Sequence, residues 1–245
     1  MPATLPVLIL QTGAPSADLA ARHGGYSEQI REAAGLRPDE AHIVAVHRGE
    51  SLPPPAHYRA ALITGSPAMV TDREPWSESA AAWLRGAAAL GLPMFGICYG
   101  HQLLAHALGG EVGYNPAGRE LGTQTIELLA DDPLLEGLPA QFPAQMLHAQ
   151  TVLRPPAGTA VLARSAQDAH QLLRLAPGIY SSQFHPEFGP AFVRDHLRSH
   201  VSLYAREGLD GNALAEAVTA TPLAASVLPR FLSLYGRTEA HAAAA

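Results

Sequence analysis

The only cysteine of the chain, Cys98, lies in FGICYGHQ (95–102), with Gly96 and Gly100 two residues to either side. Where a strand turns sharply into a helix, the residue at the tip takes a strained conformation, and side chains two before and two after it collide. Glycine at both places therefore fits a nucleophile elbow that presents the Cys98 sulfur. The first N–H groups of a helix starting near His101 would favour thiolate over thiol. The competing reading is burial, since a free cysteine is among the most buried residue types. A base elsewhere in the chain decides between them. QFHPEF (183–188) offers His185 and Glu187 two residues apart. On an extended chain such residues face the same side, roughly 6–7 Å apart, and Pro186 biases His185 away from helical geometry. A carboxylate beside an imidazole orients the ring and stabilises its protonated form. A solvated His–Glu pair at a strand end is the alternative. Attack on a carbonyl also needs donors for the developing oxyanion. The N–H of Tyr99 is one, and Gly65 and Ser66 in TGSP (64–67) are candidates for a second. An ordinary turn would use the same Gly-Ser-Pro residues.

These residues need elements to hold them. Short apolar runs, PVLIL (6–10), HIVAVH (42–47), ALIT (61–64) and PMFGI (93–97), alternate with helix-period segments at 26–34, 77–90 and 101–108. Buried strands separated by helices predict a parallel sheet covered on both faces. A polar turn is expected over 11–16. In the second half, 123–129, 161–165 and 170–175 alternate polar and apolar residues, which predicts antiparallel or edge strands, followed by a strand at 178–184. A helix is expected over 190–207 and another over 213–235, broken near Pro222, with TEAHAAAA as a frayed tail. No internal repeat and no long linker appear, so residues 1–207 read as one domain and 208–245 as a helical extension of it.

With 245 residues, 47% apolar and 16% charged, the chain suits one sizeable core. A net charge of −6 with scattered Lys and Arg gives no nucleic-acid surface. A single cysteine forms no internal disulfide, the N-terminus lacks a signal-peptide pattern, and no apolar run is long enough to span a membrane. A cytoplasmic setting is expected. His101 and His106 are five apart, off the spacing that places two metal ligands on one helix face, so neither a metal nor a cofactor is expected.

Taken together, G-x-C-x-G-x-Q at 96–102, HPE at 185–187 and TGSP resemble the class I (triad) glutamine amidotransferase family. LQTG, ARHGGY, GHQLLAHALGGEV and QFHPEF resemble its free-standing GMP synthase-like domains. The resemblance covers about residues 5 to 205. It implies an α/β three-layer sandwich with a central mostly parallel, flavodoxin-like sheet and an amidohydrolase with a Cys98–His185–Glu187 triad. It further implies an oxyanion hole from the N–H groups of Tyr99 and the Gly65–Ser66 loop, and substrate contacts from Gln102 and His148. Two departures stand out. Ser66 replaces a common glycine, which is expected to hinder a backbone flip that builds the hole. Gln150 replaces a common aspartate, removing a charge that could meet a substrate ammonium. The substrate expected is a small γ-glutamyl amide, either glutamine or a γ-glutamyl compound, releasing ammonia or an amine. About 40 residues follow residue 205 and no Walker-type glycine pattern occurs, so an ammonia-accepting synthase is expected on a separate subunit. The alternatives are a free-standing γ-glutamyl peptide hydrolase or transferase, and a regulatory module without catalysis.

Overall fold

The computed structural model describes residues 5–236; the tail TEAHAAAA and residues 1–4 lie outside them. Its strands are β1 (Val7–Gln11), β2 (Ala41–Ala45), β3 (Ala60–Ile63), β4 (Met94–Ile97), β5 (Glu111–Tyr114), β6 (Glu120–Leu128), β7 (Gln141–His148), β8 (Gln150–Arg154), β9 (Ala160–Arg164), β10 (Leu172–Ala176) and β11 (Ile179–Ser182). Its helices are α1 (Ala17–His23), α2 (Tyr26–Ala33), α3 (Pro75–Ala89), α4 (Tyr99–Ala107), α5 (Pro190–Ser199), α6 (Val201–Arg206), α7 (Gly211–Glu216), α8 (Pro222–Ala225) and α9 (Val227–Tyr235).

One sheet runs β2-β1-β3-β4-β11-β10-β9-β6-β7, and β5 pairs with β8 apart from it. The five strands from β2 to β11 are parallel, and the remainder are antiparallel. Strand alternation shows why the runs are apolar throughout. Val7 and Ile9 enter one core while Leu8 and Leu10 enter another, and Ala60 and Leu62 part from Ala61 and Ile63 in the same way. On the first face α2 and α9 supply Ile30, Leu228 and Phe231; on the second α3 and α4 supply Leu84, Leu103 and Leu104. The sheet thus separates two helical layers, as a buried parallel sheet requires. A third cluster under α1, α5 and α7 is centred on Leu19, Phe192 and Leu197.

Several elements differ from expectation. Ser16 ends the polar turn by capping α1, its hydroxyl accepting from the Leu19 N–H at 3.4 Å. β7 carries Pro143, a residue that reads against a strand, but it is the terminal strand of the sheet, where a missing donor is tolerated. The segment 190–207 is two helices, because the backbone departs from helical geometry at His200 (φ −117°, ψ 16°).

Candidate active site

Cys98 is the single residue between β4 and α4, and its backbone sits at φ 51°, ψ −100°. Its N–H donates to the Ser182 carbonyl at 2.8 Å. A Cβ on Gly96 would lie 2.4 Å from the Gly100 carbonyl oxygen, and one on Gly100 would lie 2.6 Å from that of Ile63. Only hydrogen fits at either place, so the turn around Cys98 depends on both glycines. Tyr99 opens α4, and the N–H groups at a helix start have no partner within the helix.

β11 lies parallel to β4 with Ser182 opposite Ile97, so the chain leaving β11 emerges at the same sheet end as Cys98. His185 is fixed there by its N–H, which donates to the Gln145 carbonyl at 2.9 Å, and by Phe188, stacked on its ring at 4.3 Å. Its Nδ1 lies 2.8 Å from Glu187 Oε1, and both side chains are buried. A carboxylate only accepts, so Nδ1 carries the proton and Nε2 is left to exchange one. Nε2 is buried and has no hydrogen-bond partner among the described residues. Burial opposes charge on this ring, but Glu187 and the Cys98 thiolate outweigh it and raise the pKa to about 10. The Cys98 sulfur also lies 4.0 Å from the Leu147 carbonyl.

The loop after β3 completes the corner. A Cβ on Gly65 would meet His185 Cε1 at 3.3 Å and Cys98 Cβ at 3.7 Å. The N–H groups of Gly65 and Ser66 have no partner among the described residues. Ser66 does not have positive φ, so serine is accommodated here without strain. A cavity of about 220 Å³ is bordered by Cys98, His185, Tyr99, Gly65 and Ser66. Glu187 stands behind His185, outside its lining. Gln102 and His148 border it too, yet their donors are engaged. The Gln102 amide donates to the Gln150 carbonyl (2.8 Å) and to Gln183 Oε1 (2.9 Å). His148 lies 3.0 Å from the Gln150 carbonyl through Nδ1 and 3.0 Å from Glu120 through Nε2.

The cavity also has walls that the sequence reading did not single out. Arg119 grips Glu207 through two hydrogen bonds (2.8 and 2.9 Å), its guanidinium 5.8 Å from the Tyr204 ring centre. From Phe188 the rings of Phe192, His196, His200 and Tyr204 follow in contact, each four residues on. That four-residue period is legible in the sequence, and it runs from Phe188, just before α5, through α5 into α6. A larger groove of about 880 Å³ runs along 128–140, but its Asp132 is tied to Arg174 and Tyr180 and no nucleophile borders it. Among the described residues no cluster of His, Cys, Asp or Glu could hold a metal ion, and no helix is long and apolar enough to cross a membrane.

Comparison with known proteins bears on the family and the fold. Residues 24–197 match the family described as glutamine amidotransferase class-I. The chain is 42% identical over 139 residues to a GMP synthase (glutamine-hydrolyzing) of Aeropyrum pernix, covering 57% of this chain and 25% of that protein. It is 34% identical over 191 residues to the same enzyme of Nitratidesulfovibrio vulgaris, covering 76% and 34% respectively. The chain thus spans a quarter to a third of these curated relatives. Among solved structures, a Thermotoga maritima glutamine amidotransferase superposes with a TM-score of 0.78 at 18% identity, covering 96% of this chain and all of that one. A glutamine amido transferase from Methylobacillus flagellatus gives 0.72 at 24%, covering 94% and 95%. At those identities the likeness is one of fold.

Proposed function

This chain belongs to the class-I glutamine amidotransferase family, and from that premise we propose that it hydrolyses the γ-amide of glutamine or a related γ-glutamyl compound through a thioester on Cys98. The observation that carries the reading is the buried His185–Glu187 pair whose free Nε2 shares a cavity with the strained Cys98. In the proposed sequence the Cys98 proton has passed to His185, Sγ bonds to the γ-carbon, and the carbonyl electron pair moves onto oxygen. The N–H groups of Tyr99 and of the Gly65–Ser66 loop hold that oxygen. The pair then returns, the C–N bond breaks, and His185 delivers its proton to the departing ammonia or amine. Water, losing a proton to His185, attacks the thioester carbon, and Cys98 departs as thiolate. Glu187 keeps the ring oriented and its charge stabilised. Gln102 and His148, with their donors engaged, act on the substrate by shaping the wall. Gln150 retains a buried Oε1 without a partner among the described residues, a neutral acceptor for a substrate N–H.

The relatives named as glutamine-hydrolyzing GMP synthases support glutamine as substrate and a synthase as ammonia acceptor. A second reading, hydrolysis of longer γ-glutamyl amines without a synthase, draws on an adjoining cavity of about 390 Å³ that shares Arg119 and Ala149 with the catalytic one. Glutamate release from glutamine and from a γ-glutamyl dipeptide, compared as kcat/KM, separates them. A preference for glutamine supports the first and a preference for the dipeptide the second. Release from neither substrate overturns hydrolysis altogether.

The same mechanism sets a pH limit. The leaving amine needs the protonated ring, so kcat/KM is expected to fall as pH rises through about 10, where His185 loses its proton. A pH profile with this falling limb centred near histidine's ordinary 6.5 would overturn the raised pKa of His185.

A further inference from the structure

Two strand ends that meet beside the cavity carry an assignment beyond the triad. Thr12 follows β1, Thr64 follows β3, and both are fully buried. Neither borders the catalytic cavity, whereas Gly65 and Ser66 do. The Thr12 N–H donates to Thr64 Oγ1 at 3.0 Å, which leaves the Thr64 hydroxyl proton for the Gly65 carbonyl at 2.9 Å. The Thr12 hydroxyl lies 2.9 Å from the Thr64 carbonyl and 3.0 Å from the Gly65 carbonyl. Two hydroxyl protons therefore face two carbonyl oxygens, and the Gly65 carbonyl is drawn into the interior.

We propose that Thr12 is a positioning residue for the oxyanion hole: its hydroxyl, with that of Thr64, holds the Gly65–Ser66 peptide with the carbonyl turned inward and the Ser66 N–H turned toward the cavity. The inference rests on the hydrolysis reading of this site. Peptide planarity supplies the second half of the statement. In a trans peptide the C=O and the following N–H point in opposite directions, and no cis bond occurs among the described residues. A carbonyl drawn toward Thr12 and Thr64 thus sends the Ser66 N–H the other way, and that N–H has no protein partner among the described residues. The reverse orientation would aim a carbonyl oxygen at the developing negative charge. It would also take from the two buried hydroxyls one of the acceptors they face, a costly exchange in a dry interior.

Two further contacts clamp the loop. The Ser66 hydroxyl donates to the Thr12 carbonyl at 2.8 Å and accepts from the Ala68 N–H at 3.1 Å. A Cβ on Gly13 would lie 2.6 Å from Ser66 Oγ and 2.8 Å from Pro67 Cδ, so the loop closes onto a glycine. The LQTG run thereby acquires a physical role as the cradle for TGSP. Serine at 66 does not hinder the hole here, because it ties the loop to Thr12.

Thr12→Val keeps the backbone N–H and the shape but removes the hydroxyl. The expected result is a kcat for glutamate release lowered by about 10²-fold, the scale of losing one oxyanion donor, with KM and the iodoacetamide labelling rate of Cys98 unchanged. Thr12→Ser recovers most of the activity, and a crystal structure of Thr12→Val shows the Gly65–Ser66 peptide turned. A role confined to packing would instead lower thermal stability, labelling and kcat together in Thr12→Val, and that outcome overturns the proposal. An unchanged kcat in Thr12→Val, or a peptide that keeps its orientation, also overturns it. If the wild-type protein releases glutamate from no γ-glutamyl amide, the hydrolysis reading fails separately. The peptide orientation in Thr12→Val then decides the assignment alone.

Discussion

Cys98→Ser is expected to leave a folded protein that no longer releases glutamate, with kcat/KM lowered on the order of 10⁴-fold or more. Oxygen replaces sulfur at the same strained backbone position, so the N–H bond to the Ser182 carbonyl and the packing around the elbow persist. The chemistry does not persist. A serine hydroxyl stays protonated at neutral pH, and the thiolate charge that helps hold His185 at about 10 disappears, leaving Glu187 as its remaining partner. The nucleophile and the acid that serves it weaken in one substitution. Glutamate release, read beside a thermal melt, checks the result. Activity within about tenfold of wild type, in protein of verified mass, would remove Cys98 from the mechanism.

The largest expected effect on stability lies in the core packed against β4. Phe231 of α9 is fully buried, its ring 5.4 Å from Phe95 and 6.2 Å from Tyr180, both edge-on. Phe231→Ala removes that ring from a core shared by Ile9, Leu62 and Ile97. The cost is about 3–5 kcal/mol, from lost burial and from the cavity left behind. For a chain of this size that corresponds to a fall in Tm of roughly 6–20 °C. We read residues 208–236 as part of the same domain as the site, and this variant tests that reading. A Tm unchanged by the substitution would make the helical extension an appendage. Phe95 lies on β4, three residues before Cys98, so the extension braces the strand that leads into the elbow.

What the sequence discloses follows the range of the interaction. The elbow is legible because its steric demand is local, falling on residues two to either side of Cys98. His185 and Glu187 are legible for the same reason, being neighbours on one short extended segment. The parallel half of the sheet is readable from its apolar runs, since a strand buried on both faces has no polar positions to blur it. Other features lack such a signal. Thr12 and Thr64 are 52 residues apart and Arg119 and Glu207 are 88 apart, and no spacing rule joins residues brought together by topology alone. β7 is obscured by Pro143, which argues against a strand unless its edge position is already known. The engaged donors of Gln102 and His148 are likewise invisible in a motif, which gives residue types but not hydrogen-bond partners.

The backbone of Cys98 places function and durability in opposition. A non-glycine residue at φ 51°, ψ −100° carries a conformational penalty of about 1–3 kcal/mol, and glycine, without a Cβ, escapes most of it. At this one position the substitution that relaxes the fold is also the one that deletes the reacting atom. Selection for thermal robustness alone would therefore favour Cys98→Gly, a sturdier protein that had forgotten its reaction.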